Sequence, residues 1–413
     1  MADSQTKPGD EVTLLGMEQS AYTGKAHAYL RYKGVPLRLV TASADVYRKV
    51  ILPHVGWAVV PVVLDVDGTV VQDTTVIIDH FERKLGGDRP VIPATPRQRL
   101  VSSILETFGD QWLIMAGMHY RWSFPEQLDY LAHEWDRAGQ PARHAKSSPQ
   151  DAVARIKLAR RNMTQFSGML PGLGVSPETI PGIEATYKFF LEAMTTHLQQ
   201  HRYLLGDAPC AGDFGLITFL YAHLYRDPVP GKMMKESFPA VAEYVERVRG
   251  FAHPGPEQSH TFDDTSRKFS SEPVGAAGFL SDDQIPRTLM PILRLFCSDH
   301  LPILLNTVDA LKRYIAEHPD KLSAELPRGL GSAHFQIGGH SGSRAVQSFD
   351  AWKFQRIVDV ARADPSCRTF LSEIGPHALA IADVDLSKCR LVKPPGPNRK
   401  STLYLEKYVS SSM

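Results

Sequence analysis

The sequence predicts an α/β unit, then an all-α domain, then a mainly helical extension. Three observations lead there. Short apolar runs alternate with helical spacing across residues 11–85. The stretch Pro90-Val91-Ile92-Pro93-Ala94-Thr95-Pro96 then interrupts every periodicity with three prolines in seven residues. Beyond it, helical spacing recurs to about Gly250 with no strand pattern between.

In the first unit, residues 11–89, Glu11–Leu15 reads as a short strand. Tyr22–Lys33 has helical spacing through Ala26, Tyr29 and Leu30 and stops at Gly34, a natural C-terminal cap. Leu37–Val40 is a second strand. Val60–Val66 and Thr69–Gln72 flank Asp67-Gly68, the dipeptide of a tight hairpin. Thr74–Leu85 places Ile77, Ile78 and Phe81 on one helical face before Gly86-Gly87 ends it. The order is β-α-β, an irregular segment, then β-β-α. Within it, the run Val59-Val60-Pro61-Val62-Val63 is the most informative. A proline cannot donate to a strand ladder, so Pro61 reads as opening a strand, with a cis bond as one way to do so.

Thr95-Pro96 is a cap followed by a first-turn proline, and begins the second domain, residues 96–250. Its helices are expected at Arg97–Ala116, Gln127–Ala138, Gln150–Phe166, Ile183–Gln200, Asp213–Tyr225 and Ala240–Arg249. In the extension, residues 251–413, His253–Ala277 reads as a long surface connection. Gln284–Glu317 reads as two helices with a kink or break at its prolines. Hairpin character surrounds Gly338-Gly339 within Phe335–Phe349, Ala351–Arg362 is an amphipathic helix, Lys393–Lys400 a loop and Thr402–Leu405 a strand. There is no internal repeat.

Composition bounds the function. The chain has 413 residues, 43% hydrophobic and 22% charged, with formal net charge +1, so neither nucleic acid nor a membrane surface is an expected partner. Its four cysteines, Cys210, Cys297, Cys367 and Cys389, are scattered, which gives no zinc signature and suits a reducing compartment. Met1–Asp10 lacks the apolar core of a signal peptide. The apolar stretches fall short of the ~18–20 residues that span a bilayer. A soluble cytoplasmic protein is expected.

Four local matches, in order, resemble the glutathione transferase superfamily over roughly residues 11–250. Ser20-Ala21-Tyr22-Thr23-Gly24-Lys25-Ala26 resembles the loop leading into the first helix. Val60-Pro61 resembles its strand-opening cis-proline, and Asp73-Thr74 its acidic residue followed by Ser or Thr. Tyr203-Leu204-Leu205-Gly206-Asp207 with Ala211-Gly212-Asp213-Phe214 resembles the capping motif of a core helix. The resemblance implies a thioredoxin-like N-terminal domain, a helical second domain, glutathione as co-substrate, no metal and a homodimer.

The chemistry fits that ligand. Glutathione is an extended tripeptide with two carboxylates, an ammonium and a thiol. Its backbone can pair with a strand edge beside Val60 and Pro61. Asp73 can accept from the ammonium, while Thr74 and the amides opening the next helix, with Gln72 before them, receive the carboxylate. Asp73 or Thr74 can equally be a helix cap. The thiol must lose its proton, and a hydroxyl at a helix N-terminus stabilises the anion. Ser20 has that position, with Tyr22 and Thr23 as rivals. No cysteine stands in this loop, which argues against thiol-disulfide exchange.

Three departures accompany the resemblance. Ala21 stands where many relatives have proline. Val59 stands where some have lysine, so a charge for the glycyl carboxylate must come from elsewhere, with Arg48, Lys49 and His54 as candidates. Cys210 stands where a Ser or Thr cap is usual, which predicts a helix start weaker by up to ~1 kcal/mol. The second substrate would lie between the domains along Trp112, Met115 and His119, although such a stripe is also ordinary core. Arg155, Lys157, Arg160 and Arg161 read as a solvated or subunit-contact face. His253, His260, Asp263 and Asp264 fit no tight metal motif. A glutathione-dependent enzyme acting on a small electrophile is the leading expectation. A non-catalytic scaffold or hydrophobic-ligand carrier is the alternative, favoured by the departures and the long extension.

Overall fold

A computed structural model describes residues 11–87, 89–139, 149–250, 257–263, 265–274, 278–321, 323, 325–393 and 403–409. The chain opens with β1 (Val12–Gly16), α1 (Ala21–Tyr32) and β2 (Leu37–Thr41). A short helical segment, Ala44–Val46 through Leu52–Val55, leads to β3 (Val62–Leu64), β4 (Val70–Gln72) and α2 (Thr74–Leu85). The sheet order is β2-β1-β3-β4, with β1 parallel to β2 and antiparallel to β3. Asp67-Gly68 makes the expected turn, Gly68 at φ 85°. The apolar face of α2, with Ile77, Ile78 and Phe81 buried, closes one side of the sheet. Leu15, Ala42, Ile51, Val55 and Val62 form a smaller core on the other.

The second region is helical, with several boundaries differing from expectation. The run expected over Arg97–Ala116 is two helices, α3 (Pro96–Gln111) and then Leu113–Trp122, because the chain tightens at Trp112, whose indole stacks on Phe108 at 4.4 Å. The helix expected over Asp213–Tyr225 runs Ala211–Phe219 and then widens to a π-turn over Leu220–Tyr225. Pro228–Ser237 is an added helix, its prolines in the first turn where no N–H is missed. The weak cap expected at Cys210 is compensated. The buried Asp213 carboxylate accepts from Cys210 N (2.8 Å), Leu204 N (3.1 Å) and the Tyr244 hydroxyl (2.9 Å).

The extension departs most. The expected connection His253–Ala277 contains an antiparallel hairpin, Glu257–Asp263 with Lys268–Val274, whose polar strands lack the apolar alternation that sequence reading needs. Gln284–Glu317 holds the two expected helices, Met290–Leu295 and Leu301–Glu317, in one continuous run from Arg287, interrupted by a π-turn at Phe296–His300 just before Pro302. By length and composition this run is apolar enough to cross a membrane, its few charges standing isolated, and 56% of its apolar stretch is buried in the fold. The hairpin is Gly329–Ile337 with His340–Gln347, turning at Gly338-Gly339, and the helix is Ser348–Ala363. The loop expected over Lys393–Lys400 lies outside the described residues from 394 onward, and the strand is Tyr404–Leu405, paired with Leu391–Val392.

One apolar core runs through all three regions, including Leu14 and Ile77, Phe108 and Phe214, and Phe296 and Phe354. Charged staples add to it. Lys353 Nζ, from the extension helix, lies 2.9 Å from Asp110 Oδ2 and 3.3 Å from Glu106 Oε1 on α3, and donates to Thr75 Oγ1 at 2.6 Å. Lys25 of α1 binds the same two carboxylates at 2.7 and 2.8 Å. Two ammoniums thus neutralise two carboxylates in a buried cluster. Burial alone would raise the Glu106 carboxyl, but Lys25 and Lys353 outweigh it and hold it well below its usual range. Arg356 adds a bidentate pair to Asp79 of α2, both contacts 2.9 Å.

Candidate functional site

Strand register gathers the predicted residues. Leu15 of β1 pairs with Val62 of β3, and Val62 with Gln72 of β4. The segments leaving β1 (to Ser20), entering β3 (Val60-Pro61) and leaving β4 (Asp73-Thr74) therefore lie at one end of the sheet.

Ser20 is the N-cap of α1, its Oγ accepting from Thr23 N at 3.3 Å. It is partly exposed, and its hydroxyl has no acceptor among the described residues. Thr23 is buried beneath it: a Cβ on Gly16 would fall 2.4 Å from Thr23 Cγ2, so this close approach requires glycine. The Tyr22 hydroxyl donates to Asp110 O at 3.0 Å, and burial, then Asp110, raises its phenol well above the usual range. Arg121 anchors the loop from below, donating to Gln19 O at 3.0 Å while paired with buried Asp227 at 2.7 Å.

The Val60–Pro61 bond is cis, and the Val60 N–H and C=O form no hydrogen bond among the described residues. At the third segment Asp73 has φ 84°, a conformation rare for a residue with a side chain. Its Oδ1 accepts from Thr75 N (2.9 Å) and Val76 N (3.2 Å), so Asp73 caps α2. Thr74 is buried at the head of that helix.

The extension reaches this end of the sheet. Lys393 Nζ donates to Gln72 Oε1 (2.8 Å) and Gln72 O (3.2 Å). Burial lowers its ammonium, Asp73 opposes that, and Arg328 adds to it, so Lys393 lies in electrostatic reach of both. Arg328 is exposed and stacks its guanidinium over Trp57, with Cζ 3.2 Å from the ring centroid. Trp57 precedes Val60 by three residues, and its indole N–H is buried without a partner among the described residues.

The expected second-substrate stripe is placed differently from the edge segments. Trp112 and Met115 are 2% and 1% exposed. Extension side chains reach them: Arg344 Nη1 lies 4.0 Å from Met115 Sδ, and Phe296 and His300 pack around Phe108, the ring on which Trp112 stacks. His119 directs Nε2 to Glu184 (2.8 Å) and Nδ1 to Ser123 (3.0 Å). A separate cavity of about 230 Å³ opens between α2, α3 and the extension helix, lined by Asp79, Arg99, Glu106 and Arg356. Among the described residues no three His, Cys, Asp or Glu side chains gather to hold a metal ion.

Sequence reading missed Arg121, Arg328, Arg344 and Lys393 as site or cleft residues. Each acts across a long stretch of chain, and no local spacing announces it.

Residues 14–89 match the family model for the glutathione S-transferase, N-terminal domain. No curated protein matches the chain. Among solved structures, similarity is found to a glutathione S-transferase of Rhodospirillum rubrum F11, at 16% identity, covering 58% of this chain and 87% of that one, TM-score 0.35. A GST-like protein of Pseudomonas syringae is 18% identical over 59% of this chain and 68% of that one, TM-score 0.38. A beta-etherase of Sphingobium sp. strain SYK-6 is 17% identical over 57% and 94%, TM-score 0.38. At these TM-scores the likeness carries no weight for the chain as a whole. The family match coincides with the β1-to-α2 unit, its mixed four-stranded sheet and its cis-proline. Residues 14–89 thus form a glutathione S-transferase N-terminal domain of thioredoxin-like fold.

Proposed function

We propose that the chain is a glutathione-dependent transferase that activates the glutathione thiol for attack on a small electrophile, by conjugation or a related lyase, etherase, dehalogenase or isomerase reaction. The observation carrying this reading is the register Leu15–Val62–Gln72, which sets three segments at one end of one sheet. In this reading Val60 pairs with the cysteinyl backbone and Pro61 keeps its polar groups turned outward. Asp73 accepts from the ammonium, and Thr74 with the opening amides of α2 receives the carboxylate. Ser20 donates to the sulfur as its proton leaves, and the positive end of α1 adds to the stabilisation. The thiolate then forms the sulfur–carbon bond while charge passes to the electrophile or its leaving group. Ser20 leads Tyr22 and Thr23 because its hydroxyl is the one that is both partly exposed and without an acceptor.

The burial of Trp112 and Met115 favours a second reading, a non-catalytic glutathione-transferase-like scaffold or hydrophobic-ligand carrier, since the expected electrophile stripe is covered. A homodimer in the cytoplasm accompanies either reading, and sedimentation velocity tests the assembly. Calorimetric titration with glutathione separates them; absence of binding at millimolar ligand would sink the enzyme reading. If glutathione binds, ultraviolet absorbance of a bound thiolate that Ser20→Ala abolishes supports the enzyme. A bound thiol that never ionises supports the carrier.

A further inference from the structure

Every charge on the proposed tripeptide needs a partner, and the N-terminal domain supplies them unevenly. Val59 stands where a cation for the glycyl carboxylate would be useful, and it is apolar. Two cations from the extension stand at the same edge. Lys393 is held on Gln72 by two hydrogen bonds, immediately before Asp73-Thr74. Arg328 is stacked on Trp57, in the segment that enters Val60. Neither has a carboxylate partner among the described residues. The other extension cations facing the N-terminal half behave differently: Lys353 pairs with Asp110 and Glu106, and Arg356 with Asp79.

This contrast has a physical meaning. Stacking on an aromatic face holds a guanidinium flat while leaving its N–H fork free for a planar anion. A lysine ammonium has three donors, and Lys393 spends two on Gln72. The indole N–H of Trp57, buried and unpartnered among the described residues, is a further donor beside Arg328. An extended tripeptide spans roughly 10 Å, and its two carboxylates lie at opposite ends.

We propose that the extension completes the ligand site: Arg328, held by Trp57, binds the glycyl carboxylate, and Lys393, held by Gln72, binds the γ-glutamyl α-carboxylate beside Thr74. This rests on the glutathione reading above and assigns to the extension the charge that Val59 does not supply, while the N-terminal candidates Arg48 and Lys49 pair with Asp45 and His54 Nδ1 meets Val50 O. The long extension is then part of the binding edge, and the chain selects a thiol peptide with a free carboxylate at each end.

The test compares three ligands by calorimetry on the full chain: glutathione, its glycyl ethyl ester, and the analogue lacking the γ-glutamyl α-carboxylate. Wild-type protein is expected to bind each analogue about tenfold or more weakly than glutathione, the loss of one charge-assisted contact. Arg328→Ala should weaken glutathione similarly and no longer distinguish it from the ester. Lys393→Met should lose discrimination against the other analogue alone. A merely misfolded variant would lose affinity without this selectivity. If the wild type binds glutathione and both variants keep full discrimination, the assignment is overturned and the glutathione reading stands. Tighter glutathione binding by Lys393→Met would also overturn it, marking that ammonium as a competitor for the ligand's own. If the wild type binds no glutathione, both fall together.

Discussion

The ammonium of Lys353 lies 2.9 Å from the Asp110 carboxylate, joining residues 243 positions apart. Both are nearly inaccessible, their side chains 1% and 3% exposed. Through Thr75 and Glu106 the same ammonium reaches the head of α2, so one lysine ties the extension to two earlier regions.

Removing it leaves Glu106 and Asp110 with Lys25 as their one ammonium. Lys353→Met is therefore expected to cost about 3–5 kcal/mol of unfolding free energy, the usual consequence of orphaning a buried charge. Urea unfolding followed by circular dichroism measures it. A loss below about 1 kcal/mol would show that the cluster behaves like a solvated surface pair.

Asp73 combines capping with its proposed ligand role, and the two are separable. Asn caps helices as well as Asp and tolerates positive φ, so Asp73→Asn should change stability by no more than about 0.5 kcal/mol. Losing the negative charge should weaken glutathione binding about tenfold. Equal affinity in the variant would confine Asp73 to capping.

The start of Ala211–Phe219 depends on Asp213 more than on Cys210. Cys210→Ser should be nearly neutral, within about 1 kcal/mol, because the Asp213 carboxylate already receives the amides of Cys210 and Leu204. Asp213→Ala strands those amides and the Tyr244 hydroxyl, and should cost roughly 2–4 kcal/mol. Thermal melts of the two variants, compared with wild type, give the ordering.

His197 predicts an acid limb. It is fully buried, with Nε2 near Tyr203 O (3.1 Å) and Nδ1 near Thr288 Oγ1 (2.8 Å). Burial lowers its folded pKa from 6.5 to about 4, against an opposing contribution from the Tyr203 carbonyl. Between those values the unfolded chain binds the proton and the folded chain does not. The stabilisation is present above about pH 6.5 and lost as pH falls toward 4, by up to about 3 kcal/mol. His197→Gln should flatten that window in denaturation curves taken across it. An unchanged slope would assign the limb to other groups.

Much of the N-terminal domain is legible because its signals are local. The helix Thr74–Leu85 has the same bounds in sequence and structure, and the Asp67-Gly68 turn and the Gly34 stop each occupy a few adjacent positions. Pro61 is legible for the same reason, since one residue that cannot donate a hydrogen bond marks its own strand. The helix break at Trp112 is not legible, because buried apolar residues continue on both sides of it, through Phe108, Leu113 and Met115. The polar hairpin Glu257–Val274 is hidden by its composition.

By itself the sequence determined the β-α-β, β-β-α order, the helical character of the second region and the candidates Ser20, Val60, Asp73 and Thr74. Hydrophobic period and turn chemistry act between neighbours, so they are written in the chain. Only tertiary structure decided that the extension joins the common core, covers Trp112 and Met115, and brings Lys353, Lys393 and Arg328 to the first domain. An ion pair or a stacked guanidinium depends on where two distant segments meet, and a lysine bound for Asp110 looks in sequence like any lysine on a helix.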